Sequence, residues 1–156
     1  MAVALIACSA AGAEPGAPVP RGSTLHPDGW KQLPAIATAV ASAAAGDGIV
    51  IDAVDAWGEP GAGCYGVWLA LHGGAADAAT LADQVLGGAT GLAPGDIVKP
   101  DGPDGVLAFA FARPPYRGRV RAQLGNGRIA ATACFGNQRE PTACHAACAQ
   151  VLQEVP

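Results

Sequence analysis

The pattern that most constrains the fold is a short turn between two alternating segments late in the chain. Residues 119–124 and 128–135 each carry an apolar residue at every second position, and Gly125-Asn126-Gly127 separates them. Asn-Gly is the preferred pair for a two-residue type I′ turn, in which both residues adopt positive φ angles. We therefore expect a β-hairpin of fixed register. Its expected cross-strand pairs are Leu124 with Ile129, Ala122 with Ala131, and Val120 with Ala133.

The rest of the chain alternates between helical and extended patterns. Helices are predicted over about residues 31–45, from the capping residue Asp77 to Gly88, and from about Glu140 onward. Further strands are predicted over residues 49–54, 64–71 and 106–113. Strand pairing should stop at Pro114-Pro115, or the chain should reach a sheet edge there, because proline has no amide hydrogen to donate. The order helix, hairpin, helix, three strands, helix predicts an α+β fold, in which helices pack on one face of an antiparallel sheet of about five strands.

Four of the five cysteines form an even set that suits two disulfides in an oxidising compartment: Cys64, Cys134, Cys144 and Cys148. Cys144 and Cys148 lie one helical turn apart, where a disulfide is geometrically difficult, so each should bond to a different strand cysteine. Because a short loop separates Cys134 from Cys144, we expect these two to pair, which leaves Cys64 with Cys148. The hairpin register places Cys134 beside Arg119, away from the expected helices. This pairing therefore requires the strand end to twist, or the last helix to cover the other face.

The fifth cysteine ends a short apolar run, Leu5-Ile6-Ala7-Cys8. This tetrad resembles the lipobox of bacterial lipoproteins. The resemblance implies that the Cys8 thiol is acylated and becomes the new amino terminus, and that the protein is exported and anchored in the outer membrane. Ala11-Gly12-Ala13 offers the A-x-A pattern of an ordinary signal-peptide cleavage site instead, which would release a soluble secreted or periplasmic protein.

The chain of 156 residues has the length of one domain with a modest core. We interpret residues 1–8 as a signal and lipobox, 9–24 as a tether rich in proline and glycine, and 25–156 as a single α+β domain. No stretch reaches the roughly 18 uninterrupted apolar residues needed to cross a bilayer. Membrane attachment is therefore expected to depend on Cys8.

Charge is distributed unevenly along the chain. The net charge of −4 argues against nucleic-acid binding. Residues 113–139, however, contain six arginines and no acid. Four of these arginines, on or next to the exposed side of the hairpin, form a candidate site for an anionic partner, because guanidinium groups bind phosphate and carboxylate bidentately: Arg117, Arg119, Arg121 and Arg128. Tyr116 would add an aromatic rim. Alternatively, these arginines are solvated and neutralised by the acidic first two thirds of the chain.

The sequence contains no recognisable catalytic centre. None of its serines lies in a G-x-S-x-G motif. His72, followed by two glycines, is the first candidate if the protein is an enzyme, although a strand-to-helix turn explains this segment more simply. A zinc site that combines His145 with Cys134, Cys144 and Cys148 is disfavoured relative to disulfides, because helix residues 144 and 145 point in different directions. We expect no metal and no cofactor.

Together these patterns favour a noncatalytic envelope lipoprotein that acts as a binding or assembly component. Its expected partners are the membrane, through acylated Cys8, and an anionic ligand or an envelope protein. A small secreted enzyme and a secreted inhibitor or effector remain alternatives, and a deep pocket beside His72 would favour the enzyme. The sequence gives no indication of the oligomeric state.

Overall fold

The computed structural model describes residues 26–72, 77–102, 105–137, 139, 142 and 144–152. This part of the chain is a mixed α+β protein whose sheet has seven strands rather than the five expected. The helices are α1 (Pro34–Gly46), α2 (Ala78–Gly88) and α3 (His145–Leu152). The strands are β1 (Lys31–Gln32), β2 (Ile51–Glu59), β3 (Cys64–His72), β4 (Gly95–Val98), β5 (Gly105–Arg113), β6 (Tyr116–Gly125) and β7 (Arg128–Asn137). Cys8 and the proposed tether lie outside the described residues.

The strands form one antiparallel sheet in the order β1-β2-β3-β7-β6-β5-β4. The β6–β7 hairpin has the predicted register. All three expected pairs are present: Leu124 with Ile129, Ala122 with Ala131, and Val120 with Ala133. Asn126 and Gly127 have φ angles of 53° and 70°, as a type I′ turn requires. The Asn-Gly turn and the alternation of apolar and polar residues therefore predicted the register of this hairpin correctly.

The two edge strands are absent from the sequence-based prediction. β1 contains just two residues, both exposed, and β4 is a four-residue strand in a stretch rich in turn residues. Asp96, within β4, has a φ of 49°, which interrupts the regular alternation of side chains between the two faces of the strand. Pairing stops at Pro114-Pro115 as expected, since β5 ends at Arg113 and β6 begins at Tyr116, and these two residues form the last pair of the ladder. The prolines occupy the turn, joined by a cis peptide bond, so the ladder loses no donor.

The helix boundaries follow local signals in the sequence. α1 begins at Pro34, where proline is tolerated because the first amide of a helix has no partner within it. Asp77 caps α2 as predicted, since its Oδ1 accepts a hydrogen bond of 2.8 Å from the Thr80 amide. The same bond lowers the pKa of Asp77.

Helices cover both faces of the sheet, which corrects the expectation that they share one. On the first, which we call the groove face, α1 packs Ala37 against Val54 and Ala56 of β2. On the same face, α2 packs Leu81 against a cluster that includes Leu107 of β5. α3 lies on the opposite face, the bridge face, where both disulfides are found.

The disulfides join Cys64 to Cys144 and Cys134 to Cys148. The prediction that the two helix cysteines bond to different strands is confirmed, but the predicted pairing, Cys134 with Cys144 and Cys64 with Cys148, is wrong. The reason is the direction of α3, which runs back along the bridge face after β7 ends. Cys144 arrives beside Gly136, directly across the ladder from Cys64.

One turn of α3 further on, Cys148 lies beside Cys134, to which it is bonded. Four helical residues rise about 6 Å, which is close to the roughly 7 Å spanned by two strand residues. Gly136 makes the first bridge possible, because a Cβ atom there would lie 2.6 Å from the Cys144 sulfur. Any larger residue would push α3 away from the sheet.

The core of the bridge face is formed by three tryptophans and the end of α3. Trp30, Trp57 and Trp68 pack with Val151 and Leu152, and all five side chains are buried. Trp30 precedes α1 in the chain and packs on the bridge face, away from the face that α1 covers. In the part of the chain that the structure describes, no helix is both long enough and apolar enough to span a bilayer.

Candidate functional site

The groove face is incompletely covered, and the gap lies over its centre. α1 packs on β2 near one edge, and α2 packs on the strands toward the other. Between them run β3 and β7, whose groove-face residues include the small side chains Ala131 and Ala133. Neighbouring strands are about 4.8 Å apart, so helices that lie three strands apart do not touch each other. The uncovered strands become the floor of a groove.

The groove has a volume of about 1030 Å³, at the upper end of the roughly 300–1000 Å³ typical of small-molecule sites. Its floor consists of aliphatic and aromatic side chains: Val67, Leu69, Leu71, Phe109, Phe111, Val120, Ile129, Ala131, Ala133 and Phe135. Val40, Ile49 and Val50 form one wall, and Val85, Ala89 and Leu92 form the other. The described lining contains no acidic residue and no serine, threonine or cysteine.

Large apolar side chains are exposed at the rim of this groove. Val50 is 78% exposed, Ile49 42% and Tyr116 37%. These are three of the five large hydrophobic side chains that are exposed among the described residues; the other two, Ile97 and Val98, lie on the edge strand β4. Contiguous exposed apolar surface marks binding sites in soluble proteins. Exposed apolar side chains at both ends of the groove therefore make its rim a candidate binding surface.

One end of the groove is aromatic. Phe135 stacks on Tyr65 with 5.5 Å between ring centroids, and it meets the edge of Tyr116 at 5.7 Å. Phe111 completes this cluster, 6.1 Å from Phe135. Arg113 lines the groove at the same end, as the last residue of β5. Tyr116 therefore lines the groove, and it does not form a rim for the candidate arginine site as the sequence suggested.

The other end of the groove carries His72, the sequence-based candidate for a catalytic residue. His72 ends β3, and its Nδ1 lies 2.5 Å from a carboxylate oxygen of Asp52. Both side chains are accessible, with 60% and 39% of their surfaces exposed. A deep pocket beside His72 would favour an enzyme; the structure instead places His72 at the margin of the apolar groove. The histidine borders the groove without being enclosed by it.

The predicted arginine site is only partly assembled. Arg117, Arg119 and Arg121 follow one another at every second position of β6, on the bridge face. Arg128 shares that face, but it lies four residues along β7 from the residue opposite Arg121, a distance of about 14 Å. Arg121 also donates a hydrogen bond of 3.4 Å to the Leu152 carbonyl oxygen, at the end of α3. One of its roles is therefore to hold this helix on the sheet.

A small cavity of about 230 Å³ lies beside the two disulfides. Arg117, Arg119 and His145 contribute to its lining. All four cysteines near α3 are bridged, so none is a thiolate available to bind zinc. Among the described residues, no group of three potential ligands is placed to hold a metal ion.

Asp55 is a partly buried acid on the bridge face. Burial raises its pKa, an effect that is opposed by a hydrogen bond of 2.9 Å from the Ala56 amide and by the charge of nearby His26. The carboxylate therefore opposes folding at neutral pH, and no feature of the groove depends on it.

No protein-family model, no curated protein and no solved structure matches this chain. In any fold, function is determined by the geometry and chemistry of the individual sites.

Proposed function

We propose that this protein is an exported, lipid-anchored binding protein of the bacterial cell envelope that holds the acyl chain of a lipid in the groove between α1 and α2. The observation that carries this proposal is the groove, with its continuous apolar floor and its exposed apolar rim. Two disulfides support export, because such bonds persist in oxidising compartments. The lipobox-like sequence before Cys8 supports the anchor.

The size and chemistry of the groove suit an acyl chain. A methylene group has about the volume of a water molecule, about 30 Å³ in the liquid, so a chain of about sixteen carbons would fill roughly half of the groove. Burying ten methylenes contributes about 8 kcal/mol, which corresponds to a micromolar Kd before the costs of association are subtracted. A long chain is therefore required, and short acids should bind poorly.

The test measures displacement of a fluorescent apolar probe, 1-anilinonaphthalene-8-sulfonate, by palmitate. Ala133→Phe fills the centre of the floor, so we expect it to weaken palmitate binding by at least about tenfold, as the loss of two buried methylenes would. Ala112→Phe is the matched control, because Ala112 lies on β5 with its side chain on the opposite face. Full binding by Ala133→Phe, or no binding by the unmodified protein, would refute the proposal.

The anchor has a separate test with the full-length gene product. We expect it to partition into the detergent phase after expression in its native host, and Cys8→Ser to remain in the aqueous phase. Aqueous partitioning of both proteins would rule out the anchor and favour the soluble secreted form.

One observation favours a second function, that of a hydrolase. The contact between His72 and Asp52 at the end of the groove resembles a general-base pair, in which a carboxylate orients the imidazole so that Nε2 accepts a proton. Since the described lining offers no serine, threonine or cysteine, the imidazole would have to activate a water molecule for direct attack on an ester carbon. Turnover of p-nitrophenyl palmitate that disappears in His72→Asn would establish the hydrolase. Absence of turnover in the unmodified protein would exclude esterase activity on this substrate.

A further inference from the structure

The charges at the two ends of the groove differ. Arg113 lies at the aromatic end, where it pairs in the ladder with Tyr116 across the two prolines. It is the one arginine or lysine in the described lining, and no acid of the described residues forms an ion pair with it. At the opposite end, His72 contacts the Asp52 carboxylate. At that end Arg128 pairs with His72 in the ladder, and neither Arg128 nor Asp52 lines the groove. Arg113 is therefore the one arginine or lysine side chain that the described lining offers to a ligand.

We propose that the ligand is an amphipathic anion that binds in one orientation, with its carboxylate or phosphate head on Arg113 and its chain running along β3 and β7 toward His72. This inference rests on the proposed function of the groove and adds the chemistry of the headgroup. A guanidinium offers two parallel N–H donors that match the two oxygens of a carboxylate or phosphate. The reverse orientation would place the head beside His72, where the described lining offers no arginine or lysine.

The residues around Arg113 suit the junction between head and chain. Tyr116 and Phe111 line the groove at the end where Arg113 lies, and Phe135 joins them in the floor. Aromatic rings are suited to such a boundary, because they give a large apolar surface to the first methylenes while the head stays in water. Tyr116 is itself 37% exposed. The apolar floor then continues beneath the rest of the chain.

The experiment compares three amphiphiles of equal chain length as competitors of a neutral fluorescent probe, N-phenyl-1-naphthylamine: palmitate, hexadecanol and hexadecyltrimethylammonium. Since Arg113 is exposed, its contact with the head is screened by solvent, and we expect palmitate to bind about three- to tenfold more tightly than hexadecanol. Arg113→Gln should remove this preference without changing hexadecanol binding. Arg113→Glu should shift the preference to the cationic amphiphile.

Lys31→Gln is the matched control. Lys31 is an exposed residue of the edge strand β1 and does not line the groove, so its loss changes the net charge equally without touching the site. It should leave the ratio of palmitate to hexadecanol binding intact. Lysophosphatidic acid and palmitate, tested side by side, distinguish a phosphate head from a carboxylate head.

The outcomes separate this inference from the proposed function. Equal binding of palmitate and hexadecanol by the unmodified protein would overturn the role of Arg113 while leaving the groove as a lipid site. Equal loss of palmitate binding in Arg113→Gln and Lys31→Gln would also overturn it, because the effect would then come from net charge. Failure of all three amphiphiles to bind would refute the lipid-binding function itself.

Discussion

Loss of the Cys64–Cys144 disulfide should destabilise the fold more than loss of Cys134–Cys148. The first bridge spans 80 residues of chain and the second spans 14. The chain-entropy model gives stabilisation of about 4.5 kcal/mol for the longer loop and about 3 kcal/mol for the shorter one, a difference of about 1.5 kcal/mol. Closing either loop barely shortens the other, so the two contributions are nearly independent.

The assay is urea unfolding of two double variants, Cys64→Ala/Cys144→Ala and Cys134→Ala/Cys148→Ala. Both are made in a Cys8→Ser background, so that no thiol is left to exchange with the remaining bridge. Each variant removes two sulfur atoms from the same core, which makes the loss of packing similar and leaves loop length as the main difference. The extrapolated free energies of unfolding should differ by about 1.5 kcal/mol, with the first variant less stable.

Two results would contradict this reasoning. Equal free energies of unfolding, or a less stable Cys134/Cys148 variant, would show that loop entropy does not control the ranking. A peptide containing Cys134 bonded to Cys144, recovered from non-reduced protein, would show that α3 does not return along the bridge face as described.

Three further predictions concern stability and charge. Because burial raises the pKa of Asp55 above its ordinary 3.8, the protonated carboxyl favours the folded state at low pH, and this contribution is lost as the pH rises through the folded-state pKa. Asp55→Asn should therefore raise the thermal midpoint at pH 7 and leave it unchanged below about pH 3. Gly118→Ala should lower the free energy of unfolding, measured with urea, by more than about 1 kcal/mol, because the added Cβ would clash with the Cys134 carbonyl oxygen. Gly87→Ala is the control: Gly87 lies in α2 with open space around it, so this change should be neutral or stabilising by up to about 1 kcal/mol. Reversing the charge at Arg119 and Arg121 together should lower the salt concentration that elutes the protein from phosphocellulose. Unchanged elution of a variant that still melts cooperatively would show that these two arginines do not bind anions.

The sequence predicted best those elements whose signals are local. The Asn126-Gly127 turn and the alternation around it determine the β6–β7 register without reference to the rest of the molecule. Asp77 likewise caps α2 through a contact three residues away. The edge strands β1 and β4 carry no such signal, because short strands acquire their conformation from pairing with a neighbour.

The groove and the disulfide pairing could not be predicted because both depend on where helices dock. The bonding of Cys144 to Cys64 follows from the return path of α3, and sequence distance favoured Cys134 instead. The groove exists because α1 and α2 settle on different strands, which no spacing within either helix reveals. The sequence did identify His72, but its proximity to Asp52 depends on β2 and β3 pairing. The sequence shows Arg113 as the first residue of an arginine-rich stretch. Its position in the groove could not be predicted, because the groove itself depends on where α1 and α2 pack.

The placement of both disulfides on one side of the sheet gives the molecule two halves of unequal stiffness. α3 is covalently fastened at two points one turn apart. No disulfide ties α1 or α2 to the described part of the sheet: they are held by side-chain packing, by a hydrogen bond from the Leu33 amide to the Ala56 carbonyl oxygen before α1, and by the ion pair of Asp83 in α2 with Lys99. We therefore expect the walls of the groove to yield more readily than the fastened half, through small displacements of α1 and α2. A site built in this way accommodates chains of different thickness, and its affinity should vary gradually with the girth of the ligand rather than fall abruptly at one size.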